Sequence, residues 1–160
     1  MGSSQFSIPI GSDGYVQSTT KGANWGFDPQ TWAHTVGEIG AAGGSRPSPY
    51  PIVGNSSIAD PSVNSVINKD HLNKVASKDG EAYQSSDPIY KYPPIYFFKQ
   101  DLPGYVECPT ATTQGRTPDM DSCMIHIVKD DVHHHFFLTA QQVPMAEETA
   151  RVFLAVITVK

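Results

Sequence analysis

Four of the six histidines in this chain fall between positions 126 and 135: His126, His133, His134 and His135. Neutral imidazole is a common ligand of divalent transition metals, and three such nitrogens aimed at one point can hold one. Strand geometry decides whether they converge. Cys123 to Val128 and Val132 to Leu138 are rich in apolar and β-branched residues and flank Lys129-Asp130-Asp131. They read as the arms of a hairpin. Side chains alternate along a strand, so His133 and His135 share one face and His134 takes the other. A two-residue turn at Asp130-Asp131 pairs His126 with His135. It gathers His126, His133 and His135 on one face, as three ligands for a divalent metal. A three-residue turn at Lys129 to Asp131 pairs His126 with His134, and His133 and His135 then face away.

Two-residue turns need φ > 0 at both central positions and prefer Asn-Gly or Asp-Gly. The three-residue turn needs one such residue, which Asp tolerates. Local turn chemistry therefore favours the register without a three-histidine face. The metal site stays as the alternative reading, beside a pH-responsive contact built on histidine. The cupin pattern, His-X-His with Glu three or four residues on, is not met, because Leu138 to Ala140 occupy those positions.

Other reactive patterns are missing from the sequence. There is no Gly-X-Ser-X-Gly, no Walker loop and no Gly-X-Gly-X-X-Gly. Gly37 to Gly44 follows a helical pattern instead of opening one, which is the wrong end for phosphate. Glu147-Glu148 reads as a solvated helix start. No catalytic residue and no cofactor beyond a divalent metal are assigned, and an enzyme is the less favoured class.

The two cysteines, Cys108 and Cys123, bracket a polar loop between apolar stretches. They are placed to face each other across two strands. A disulfide there closes about 15 residues and stabilises by ~3 kcal/mol, against the alternative of two reduced thiols.

Residues 83–105 hold seven of the sixteen aromatics: Tyr83, Tyr90, Tyr92, Tyr96, Phe97, Phe98 and Tyr105. They read as core around Ile95 to Phe98. Tyr83, Tyr90, Tyr92 and Tyr96 also suit an interface, because Tyr offers contact area with a polar tip. A carbohydrate-binding platform is the third reading.

Several elements must position these groups. Gln5 to Ile10 alternates and, with Tyr15 to Thr19, suggests an opening hairpin. Asp28-Pro29 and Asp60-Pro61 are helix starts, with Asp as N-cap and Pro at the first helical position. Their helices are expected to stop at Gly40 and Gly80. Ala41 to Asn55, dense in Gly and Pro, is expected to be an extended arm. Ile95 to Phe98 reads as a strand and Lys99 to Gly104 as a turn. Pro144 to Thr149 reads as one helical turn. Arg151 to Lys160 is apolar on both faces and is expected to be a central or partner-covered strand, with Ile157 at an interface. The expectation is one mainly β domain over 1–160, a sandwich or barrel with two short helical insertions and long Gly/Pro-rich loops.

Charged residues are 17% of the 160, and the net charge is −5. Basic residues are scattered, so no direct nucleic-acid binding is expected. No apolar run reaches the ~18 residues of a spanning helix, so no membrane insertion is expected, and no signal-peptide pattern is visible. Low charge, the arm at 41–55 and the aromatic run together favour a structural protein. That reading is a self-associating subunit, a homo-oligomer or part of a larger assembly: a virus or phage particle (coat, decoration or tail) or an extracellular filament. A metal-binding β-barrel or small metal-dependent enzyme is the alternative.

Overall fold

The computed structural model describes residues 6–7, 14–27, 52–78, 80–110, 123–138, 140–156 and 158–159. Alternating and β-branched segments form nine strands of one antiparallel sheet. They are β2 (Tyr15–Ser18), β3 (Gly22–Phe27), β4 (Ile52–Ile58), β5 (Leu72–Val75), β6 (Glu81–Ser85), β7 (Ile95–Phe98), β8 (Gly104–Cys108), β9 (Cys123–Lys129) and β10 (Val132–Leu138). Strands β5 to β10 form a meander, and β4 joins it beside β10, giving the order β2-β3-β4-β10-β9-β8-β7-β6-β5. Residues Phe6–Ser7 (β1) pair separately with Thr158–Val159 (β11). The chain is thus mainly β, as expected. Among the described residues the sheet is open, with β2 and β5 at its edges, and no barrel closes.

Among the described residues, two helices cover opposite faces. Helix α1 (Pro61–Ile67) links β4 to the far edge and packs Val63 with Tyr96 and Tyr105. Asp60 caps it: its side chain accepts from the backbone N–H of Ser62 and Val63. The helix stops well before Gly80. Lys69 N–H bonds the Val66 carbonyl and Asp70 N–H bonds the Ser65 carbonyl, while Lys69 takes φ 59°. That is a Schellman ending with Lys in the usual Gly position. It frees Leu72 to Val75 to pair with β6 as an edge strand instead of continuing the helix.

Helix α2 (Ala146–Val156) follows a 3₁₀ turn over Ala140–Met145. The strand expected from Arg151 to Lys160 is helical as far as Val156. Ala146, Ala150 and Phe153 recur at i, i+4 and i+7 and are fully buried against the sheet. Glu147 and Glu148 sit in its first turn, where the helix dipole favours them, and Glu148 pairs with Arg151. Under this helix lies the main core, with Trp25, Val106, Ile125, Ile127, Phe136 and Phe153 at its centre.

Two further expectations change. Tyr15 to Ser18 pair with β3, and the described part of the Gln5 to Ile10 segment, Phe6–Ser7, pairs with β11. Ile52 to Asn55 belong to β4, which lies between β3 and β10, so the last part of the expected arm is strand. The helix expected from Asp28, the rest of the arm through Pro51, and Ile157 lie outside the described residues.

Candidate metal centre

The β9–β10 hairpin turns on two residues, Asp130 (φ 52°) and Asp131 (φ 63°), and pairs Lys129 with Val132. This is the register that turn chemistry disfavours. Non-Gly residues in the left-handed region cost roughly 1–2 kcal/mol each, less for Asp. The register prevails because it places Val132, Phe136 and Leu138 on the same face as Ile125 and Ile127, all five buried. A one-residue slip would move that set to the other face. Burying such side chains is worth roughly 1.5–3 kcal/mol each, which outweighs the turn.

The histidines follow this register. His135 lies directly opposite His126, and His133 is two residues from His135 on the same face. The ring centroids of His126 and His133 are 5.1 Å apart, those of His133 and His135 4.9 Å, and those of His126 and His135 5.7 Å. One nitrogen from each ring lies within 4.8 Å of the others. Nδ1 of His126 is 2.8 Å from Nε2 of His133. Three nitrogens on a tetrahedral metal at ~2.0–2.1 Å stand roughly 3.3 Å apart. The cluster therefore matches that size to within about 1.5 Å, within reach of side-chain rotation.

The surroundings favour the neutral forms of His133 and His135. Burial, with His126 and His135 beside it, pushes His133 down to about 4 against the opposing pull of Asp60. His135 is lowered by burial and by His126. Neutral imidazole is the ligating form. His126 stacks on Tyr105, its cross-strand neighbour, at 4.5 Å. Nε2 of His126 and Nδ1 of His135 are buried with no hydrogen-bond partner among the described residues. Beside His135 the sheet opens into a groove of about 370 Å³, whose lining includes Gln17, Asn24, Asn55, Met124 and Phe137.

His134 points the other way, into the main core. Trp25 donates its Nε1–H to Ser56 Oγ at 2.9 Å, and Ser56 Oγ lies 2.7 Å from Nδ1 of His134. Ser56 is fully buried, so this Ser–His pair ties β3, β4 and β10 together and has no access to a substrate.

Cys108 at the end of β8 and Cys123 at the start of β9 are joined by a disulfide. The aromatic candidates separate. Tyr96 is buried in the second core, Tyr83 is half-buried against Phe98, and Tyr90 and Tyr92 are exposed. Glu107 was missed by sequence reasoning, although its place two residues after Tyr105 puts it on the histidine face. Its Oε1 lies 3.6 Å from Nε2 of His126.

No family model matches this chain, and no similar curated protein or solved structure was found.

Proposed function

We propose that this chain binds a divalent transition metal through His126, His133 and His135. One observation carries the reading: three imidazoles from adjacent strands each bring a nitrogen within 4.8 Å of the others, and burial favours the neutral forms of His133 and His135. A three-nitrogen set suits zinc, copper, iron or nickel more than magnesium or calcium, which prefer oxygen. Three protein ligands leave a fourth position for water or an incoming group. The groove beside His135 would give that position access to solvent. Equilibrium dialysis against Zn²⁺ tests the reading. One equivalent should be retained by the wild type and lost from His133→Ala, and a wild type that retains none refutes it.

A second reading, a self-associating subunit of a virus or phage particle or a surface filament, draws on the open sheet. Edge strand β2 presents Tyr15 and Val16 at 44% and 54% exposure with its outer backbone unpaired among the described residues. Such an edge is a template for pairing with another chain. Light scattering would show concentration-dependent oligomers that Val16→Lys reduces, and a strict monomer at high concentration opposes this reading.

A further inference from the structure

The two ring nitrogens of His126 face different groups. Nδ1 points into the cluster, 2.8 Å from Nε2 of His133. Nε2 lies 3.6 Å from Oε1 of Glu107 and has no hydrogen-bond partner among the described residues. Sheet register puts Glu107 there: it shares a face with Tyr105 on β8, and Tyr105 pairs with His126 on β9. The His126 ring is held between Tyr105 at 4.5 Å and His133 at 5.1 Å, so its plane is fixed. The Glu107 side chain is 38% exposed and has room to move. A shift of roughly 0.8 Å would bring its oxygen to the ~2.8 Å of a charge-assisted hydrogen bond.

We propose that Glu107 is the positioning carboxylate of the metal centre: it accepts the Nε2–H of His126 and so leaves Nδ1 as the metal-binding nitrogen. The proposal rests on the metal reading of the cluster. A ligating histidine commonly donates its other ring N–H to a carboxylate, which fixes the tautomer and raises the basicity of the ligating nitrogen. Glu107 lies on the side of the His126 ring away from His133, so it acts through the ring. In the metal-free protein the same tautomer lets Nδ1 of His126 accept a hydrogen bond from Nε2 of His133.

The test compares wild type, Glu107→Ala and Glu107→Gln as full chains. Zinc affinity is measured against a competing chelator, and the His126 tautomer is read by ¹⁵N NMR in metal-free and zinc-loaded protein. Glu107→Ala should weaken zinc binding about 10- to 100-fold and reduce the share of the Nε2–H tautomer. Glu107→Gln keeps an oxygen acceptor and should recover most of both. An alanine variant that binds zinc as tightly as wild type, with the His126 tautomer unchanged, overturns the proposal. Loss of stoichiometric zinc in both variants, as in His133→Ala, makes Glu107 a direct ligand and also overturns it. A wild type that takes up no zinc overturns the metal reading instead. The metal-free tautomer then still decides the role of Glu107: sensitivity to Glu107→Ala supports ring orientation, and insensitivity refutes it.

Discussion

Mild acid should destabilise this chain, and one buried ring sets much of the size. His134 is 1% exposed, lies 2.7 Å from Ser56 Oγ through Nδ1, and meets Phe153 edge-on. Burial, with His135 adding to it, pushes His134 from an ordinary 6.5 down to about 4. The unfolded chain takes up this proton below ~6.5, whereas the native chain takes it up only near 4. Between those values the unfolded state holds more protons, so stability is full above ~6.5 and falls as the pH falls. The complete effect is about 3 kcal/mol, of which about 2 kcal/mol is lost by pH 5. His133, also lowered to about 4, acts in the same direction. Asp60 is lowered from 3.8, chiefly by its bond from Ser62, so its contribution is lost only at still lower pH. Urea unfolding followed by tryptophan fluorescence at pH 7.5 and 5.0, with EDTA present to remove metal linkage, measures the difference. Wild type should lose at least about 2 kcal/mol on acidification, and His134→Gln should lose clearly less. Equal stability of wild type at the two pH values, or an undiminished loss in His134→Gln, would refute the reasoning.

Three other expectations concern the frame of the site. Replacing the turn by Asp130→Asn with Asp131→Gly relieves two left-handed Asp residues and should raise stability by about 1 kcal/mol, read as a higher urea midpoint at unchanged m-value. A Cβ on Gly104 would run into the carbonyl oxygen of His126, so Gly104→Ala should destabilise by about 2–3 kcal/mol in thermal unfolding and disturb the β8–β9 pairing that holds Glu107. Removing the disulfide with Cys108→Ser and Cys123→Ser should cost about 3 kcal/mol in denaturant unfolding, from a cross-link spanning 15 residues.

The sequence made the hairpin, its histidines and the facing cysteines visible because their signals are local: period-two alternation, a short polar turn and a bracketed loop. Its register was not visible. Turn chemistry at Asp130-Asp131 points one way, and the burial of Phe136 and Leu138 in one core with Ile125 and Ile127 points the other. That second force depends on which face α2 covers. The 151–156 segment misled for a related reason. Its apolar residues fit a two-sided strand when read from Arg151, and the helical stripe appears only when Ala146 and Ala150 are included. Leu72 to Val75 fitted the α1 stripe, and only the left-handed turn at Lys69 and His71 redirects them. β3 and β6 carry weak strand signals, Gly-Ala-Asn and Glu-Ala, and owe their pairing to neighbours. Glu107 was an unremarked acid until β8 aligned beside β9.

The metal reading is tested most directly by X-ray absorption on the chain loaded with one equivalent of zinc. It predicts imidazole nitrogens as the protein ligands, three per metal at about 2.0–2.1 Å, with the shell collapsing in His133→Ala. A first shell of sulfur or of carboxylate oxygen alone, or a spectrum unchanged in His133→Ala, would contradict it.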